Sequence, residues 1–425
     1  MNWIPLPFRI PAFRAYWVAR WTSTIAQLAM VIVIGWQVYD IARQTMPLNE
    51  AALRLGIIGV VQFAPLFLLV PVSGYAADHF DRRWVGRGTI LLELGCAAAL
   101  GWFAWHGTTT LTALYVVAAL LGVARSFSGP AFQALAPNLV PREILPQAIA
   151  LSSISWQSGS IIGPALGGYL YAIGPSVPYS VSVALFGIAG VATFGIPAVA
   201  RPLVDTSIGF WRRTTEGIRY VRTNRLVLGA ISLDLFAVLL GGATAMLPVY
   251  ARDVLHAGPE GFGNLRAAPA VGATLTALWF SFRPMKTNVG AKMLWAVALF
   301  GAATVVFGLS TSMALSLVAL AVLGAADMFS VNIRQSLIQL HTPDDKRGRV
   351  GAVSSLFISA SNELGEAESG FLAALIGPVT AVVAGGIGAI VVVALWAWKF
   401  PELRLAKSFD PTDLSPSTKP QEPAT

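Results

Sequence analysis

The chain has 425 residues, of which 55% are hydrophobic and only 12% charged, with a formal net charge of +8. Soluble domains carry about 25% charge, so an ordinary soluble enzyme and a disordered chain are excluded. Long unbroken apolar runs also exclude the alternating strands of an outer-membrane barrel. A single cysteine, Cys96, excludes a disulfide scaffold and a thiolate metal cluster.

A membrane span takes roughly 20 apolar residues. Twelve apolar segments follow one another along the chain, near 15–41, 53–77, 86–106, 110–136, 146–172, 178–200, 225–250, 262–282, 289–310, 312–339, 351–376 and 379–400. The predicted fold class is therefore an all-α polytopic membrane protein with twelve transmembrane helices. Met1 to Arg14 is short, basic and proline-bearing, unlike a cleavable signal. Residues 1–200 are read as one six-helix half and 225–400 as a second. The polar stretch 201–224 is read as a cytoplasmic central loop. The proline-rich residues 401–425 are expected to form a disordered cytoplasmic tail.

Placing the N-terminus in the cytoplasm leaves 22 of the 29 Lys and Arg on that side. Arg43, Arg54 and Arg252 fall outside, and Arg20, Arg125, Arg266 and Arg334 lie within spans. This imbalance predicts a multi-pass membrane protein with both termini cytoplasmic. The basic pI then reports orientation, and no nucleic-acid partner is implied. Arg212, Arg213, Arg219, Arg222 and Arg225 of the central loop are read as anchors against anionic headgroups.

The sequence repeats at an offset of 202 residues. Leu121-Gly122 falls on Leu323-Gly324, Gln133 on Gln335, Ser152-Ser153 on Ser354-Ser355, Gly163 on Gly365 and Gly168 on Gly370. Six helices separate the copies, so the two halves are parallel repeats, with a site expected between them.

Taken in order, the polar and small residues single out several groups. Trp21, Trp36 and Trp156 are candidate cavity aromatics; the thirteen tryptophans otherwise suit interfacial belts. The loop after the second span reads Gly74, Ala77, Asp78, His79, Asp81, Arg82, Arg83, an aspartate followed by a basic pair at the membrane surface. Arg125 lies deep in the fourth span, where an arginine is costly unless paired or facing water. The fifth span carries Gly159, Gly163, Pro164, Gly167 and Gly168, whose spacing flattens a helix face for close packing. Asp234 sits in span seven, Asp327 in span ten, and Glu363, Glu366 and Glu368 in span eleven. The 202-residue shift lays Asp327 on Arg125, so opposite charges occupy equivalent positions and suit a proton-switched pair. Glu93 and Arg266 are read as local pairs or interfacial groups, and Arg20 and Arg334 as snorkelling toward the surface.

These motifs resemble those of the major facilitator superfamily. The Gly74 to Arg83 loop is similar to the superfamily's gating loop, with His79 and Asp81 departing from its pattern. The glycine–proline run resembles its exporter motif, and Arg125 its fourth-helix arginine. Gly35-Trp36-Gln37-Val38-Tyr39-Asp40, Arg347-Gly348-Arg349-Val350 and Asn362-Glu363-Leu364-Gly365-Glu366 are similar to the bacterial branch of enterobactin exporters and drug:proton antiporters. The resemblance implies two pseudo-symmetric six-helix halves and proton-coupled export of a drug-like compound or siderophore by alternating access. Arg125, Asp234, Asp327, Glu363 and Glu366 would then serve coupling or line the cavity. Uptake of a nutrient or iron chelate, and a non-transporting sensor or assembly partner, are the alternatives. The expected partners are the lipid bilayer, a small-molecule substrate and protons, with the chain a monomer. His79, His106, His256 and His341 are scattered and no phosphate-binding loop is present. No cofactor, metal or enzymatic activity is therefore expected.

Overall fold

The computed structural model describes residues 5–69, 72, 73, 75, 76, 80–198, 210–282, 285 and 287–409. Twelve long helices follow in chain order: α1 Pro11–Thr45, α2 Leu48–Leu68, α3 Arg82–Trp105, α4 Leu111–Leu135, α5 Leu145–Ile173, α6 Val177–Phe194, α7 Arg225–Leu240, α8 Gly258–Phe282, α9 Val289–Leu309, α10 Met313–Leu340, α11 Asp344–Ile376 and α12 Pro378–Lys399. Each falls on one predicted segment. Nine of the described helices are long and apolar enough to cross a membrane. The remaining three, α5, α8 and α11, carry the most polar sequence, including Ser152 to Ser160, Arg266 and the glutamates.

Local chemistry sets the helix ends. Asp81 accepts from the Arg83 N–H, Thr110 from the Ala113 N–H and Asn224 from the Val227 N–H, starting α3, α4 and α7. Between α11 and α12, Gly377 adopts φ +86° and Pro378 opens the next helix. Gly241 and Gly242 interrupt the seventh span. The chain then resumes through Leu247–Val249 and a π-helical turn, Tyr250–Val254.

The packing repeats between halves. α1 lies on α5 and α6, α3 on α4 and α6, and α2 on α4; α7 lies on α11 and α12, α9 on α10 and α12, and α8 on α10. The glycines aligned by the 202-residue shift make these contacts possible. A Cβ on Gly163 would stand 2.9 Å from the Ile25 carbonyl oxygen of α1, and one on Gly365 2.9 Å from the Val238 carbonyl oxygen of α7. The halves meet through α2 on α11 and α5 on α8. Here Gly168 faces Gly263, and its equivalent Gly370 faces Gly56. With twelve spans, the start of α1 and the end of α12 share one face; the loops after α1, α5, α7 and α11 share the other, the far face.

Two expectations change. The central segment contains a helix, Phe210–Thr223, where a loop was expected. Val221 is buried with Val227, Ile231, Ile338, Val350 and Val353, so one side of this helix docks on the second half. The expected disordered tail begins with a helical turn, Pro401–Arg404, because Leu403 and Ala406 are buried and the Gly290 N–H donates to Ala406. Residues 410–425 lie outside the described residues.

Candidate functional site

Where the halves meet, a narrow crevice of about 50 Å³ is bounded by α1, α2, α8, α11 and the segment after α7. Apolar Ile32, Ile58 and Phe262 form much of its wall, and Gln62, Arg266 and Glu366 supply the polar groups. Arg266 of α8 bridges to Glu366 of α11 at 3.4 Å and donates to the Thr244 carbonyl at 3.4 Å. Both side chains are about a quarter to a third exposed, so they keep contact with solvent while framed by apolar helices. Such a pair can be opened by a charged ligand or by protonating the carboxylate, because neither member is sealed away.

The crevice lies under a closed end. Arg43 of α1 bridges to Asp253 at 3.0 Å, and the Tyr39 hydroxyl donates to the same carboxylate at 2.5 Å. Asp40 of α1 pairs with Arg252, which also donates to the Asp40 carbonyl at 3.2 Å. The signs cross: α1 supplies Asp40 and Arg43, and the π-helical turn after α7 supplies Arg252 and Asp253. Gly35, in the crevice wall, lies five residues before Asp40, roughly 7.5 Å along the helix. The far face is thus tied shut directly above the crevice.

Each half also holds a charged cluster in its own interior. In the first, Arg125 donates to Gln62 at 3.2 Å and is electrostatically coupled to buried Glu93, which accepts from Gln27 at 3.1 Å. Gln62 therefore touches both the crevice and this cluster. In the second, Arg334 of α10, only 2% exposed, pairs with Asp234 of α7. Asp234 and Asp327 line a separate small cavity between α7, α9 and α10, with Ser330, Val297 and Phe300.

The expected opposition of Arg125 to Asp234 and Asp327 across the centre is not what the structure shows. Arg125 turns toward α2 and α3, and the aspartates turn toward Arg334 in their own half. Arg334, expected to snorkel to the surface, is buried instead. Glu366 does line the crevice, whereas the Glu363 side chain lies outside the described residues. Of the gating loop, Gly74 and Asp78 also lie outside them. Arg83 bridges to Asp81 at 2.6 Å and donates to the Ile196 carbonyl at 3.4 Å, tying α3 to the end of α6. Arg82 takes part in an interaction too. Gly159, Gly163 and Gly167 seat α5 on α1, while Gly168 and the Pro164 carbonyl meet Gly263 of α8. Trp36 stacks on the crevice residue Phe262 at 5.6 Å. Trp21 donates to Ser158 within its half at 2.9 Å, and Trp156 is exposed.

Sequence reasoning missed Arg266, Arg334 and the far-face ion pairs as members of these sites. A signal existed for two of them. Asp327 and Arg334 are seven residues apart on α10, two turns along one face, and Asp40 and Arg252 close pseudo-equivalent spans.

Comparison with known proteins decides the family. The profile of the family described as Transmembrane secretion effector matches residues 3–424. The chain belongs to this family of the major facilitator superfamily. It is a multi-pass membrane transporter with the superfamily's twelve-helix fold. An enterobactin exporter, EntS, of Shigella boydii serotype 18 is 27% identical over 413 residues, covering 94% of each chain. EntS of Escherichia coli O1:K1 is 26% identical over the same length and coverage. A bacterial homologue of the human lysosomal transporter Spinster, in an inward-facing and occupied conformation, superposes with TM-score 0.72 at 14% identity, covering 92% of this chain and 97% of its own. A D-xylose–proton symporter gives 0.69 at 13% identity, covering 92% and 97%. These solved structures share the facilitator fold.

Proposed function

We propose that this facilitator is a proton-coupled exporter of small amphipathic molecules, siderophore-like or drug-like, moving them out across a bacterial cytoplasmic membrane by alternating access. The observation that carries this reading is the crevice between the halves, lined by Arg266 and Glu366 and closed at the far face by crossed ion pairs. The positive-inside bias of the sequence puts both termini in the cytoplasm, so the closed face is periplasmic. The similarity to enterobactin exporters supports a siderophore as one class of cargo.

Residues 1–200 and 225–400 act as the two rocking halves of a monomer. Ligand pockets commonly enclose 300–1,000 Å³, so substrate entry from the cytoplasm widens the crevice as the halves part. Proton and substrate occupy the site in turn: Glu366 releases to the cytoplasm the proton it took from the periplasm, and the substrate then binds beside Arg266 and the ionised carboxylate. The ion pairs at the periplasmic face then break, and the cytoplasmic ends of the halves come together. Asp234 and Asp327, two carboxylates around one arginine, are the second place where the cycle can hold a proton.

The reading is tested in inverted membrane vesicles by substrate accumulation driven by an imposed proton gradient. Accumulation should collapse on addition of an uncoupler; export that persists unchanged rules out proton coupling. A thermal-shift screen of the purified protein against siderophores and cationic drugs identifies the cargo, because a bound ligand raises stability by mass action.

A further inference from the structure

On the outer side of the second half, α8 and α9 both pack on α10. Gly272 of α8 sits against the Ala321 backbone and Gly324 of α10 against Pro269, so these helices cross closely at that level. Beyond the crossing they diverge. A groove of about 320 Å³ opens between α8 and α9, floored by Ala325 and Ala326 and walled by Trp295, Leu299 and Phe329. Trp295 is 77% exposed, so the groove faces the membrane. Lys292, in the first turn of α9, also lines it. Among the described residues this ammonium makes no hydrogen bond or ion pair.

We propose that this groove is a binding site for one anionic phospholipid, its acyl chain over Ala325 and Ala326 and its headgroup phosphate on Lys292. A lipid tail gains no hydrophobic free energy by leaving the bilayer for an apolar groove, since both are equally apolar. Selectivity must therefore come from the polar end. A lysine at the membrane surface favours an anionic headgroup by about 1 kcal/mol, roughly a fivefold preference. Small residues in the floor let the chain lie deeper than it would against an ordinary helix face. Ala326 also lines the internal cavity of Asp234 and Asp327, so the bound lipid bears on the stretch of α10 that carries Asp327.

Trp295 reports occupancy in the full-length protein reconstituted into bilayers. The emission lost in Trp295→Phe isolates its signal, and acyl-brominated phosphatidylglycerol or phosphatidylcholine supplies the quencher. The expected result is quenching of Trp295 about fivefold more effective by brominated phosphatidylglycerol. Lys292→Gln should abolish the preference, Lys292→Arg should retain it, and Ala326→Leu should reduce quenching by both lipids. Equal quenching by the two lipids, or a preference that survives Lys292→Gln, overturns the proposal and leaves ordinary boundary lipid. This readout is independent of transport, so it stands or falls apart from the export reading.

Discussion

Arg43 on α1 and Asp253 after α7 join the two halves at 3.0 Å, and Asp40 and Arg252 join them again with the signs exchanged. All four side chains are partly exposed, which limits each pair to about 1 kcal/mol, or roughly a fivefold change in a conformational equilibrium. Asp253→Asn should shift the protein toward a conformation open at the far face by about that factor. An Ile58→Cys probe in the crevice then reacts faster with an impermeant thiol reagent applied from that side; native Cys96 is buried and does not compete. The exchanged double variant Arg43→Asp with Asp253→Arg should return the rate toward wild type.

Glu366 is the carboxylate that meets both Arg266 and the crevice. Glu366→Gln keeps the shape but removes the exchangeable proton and the charge. Proton-driven accumulation in inverted vesicles should fall at least about tenfold, equivalent to roughly 1.4 kcal/mol, with thermal stability little changed. Arg266→Ala should weaken substrate-induced thermal stabilisation, which reads binding without transport.

Asp234 and Arg334 form a buried pair, and losing one partner leaves an uncompensated charge. Arg334→Ala should destabilise the fold by about 3–5 kcal/mol, whereas removing both partners costs less than the two single losses combined. Melting temperatures of the two single variants and the double variant check this. Among the described residues Asp327 makes no such ion pair, so Asp327→Asn should leave the melting temperature near wild type while lowering proton-driven transport.

Gly56 and Gly168 sit at two helix crossings between the halves. A Cβ at Gly56 would stand 2.9 Å from the Gly370 Cα, and one at Gly168 2.8 Å from the Gly263 Cα. Gly56→Val and Gly168→Val should each hold the far face apart, raising labelling of Ile58→Cys as Asp253→Asn does. The two variants should act alike, because the contacts are related by the internal repeat.

The number of spans, their order and the repeat were legible because membrane burial writes itself into long apolar runs, and because close helix packing demands glycine at fixed spacings. Gly163 and Gly365, and Gly168 and Gly370, were aligned by sequence and make equivalent contacts in space. The site was less legible. Arg125 and Asp327 occupy equivalent positions in sequence, yet each turns into its own half, since partners there satisfy the charge without crossing the crevice. Arg334 looks like an interfacial arginine, and Arg266 like a local pair or an interfacial group, until α7 and α11 place Asp234 and Glu366 beside them. The sequence by itself determined how many helices cross the membrane and which residues must pack closely, because those demands act within one helix or between repeats. Only the tertiary structure decided which charges meet, because a buried charge takes its partner from whichever helix the rotation about its own axis brings near.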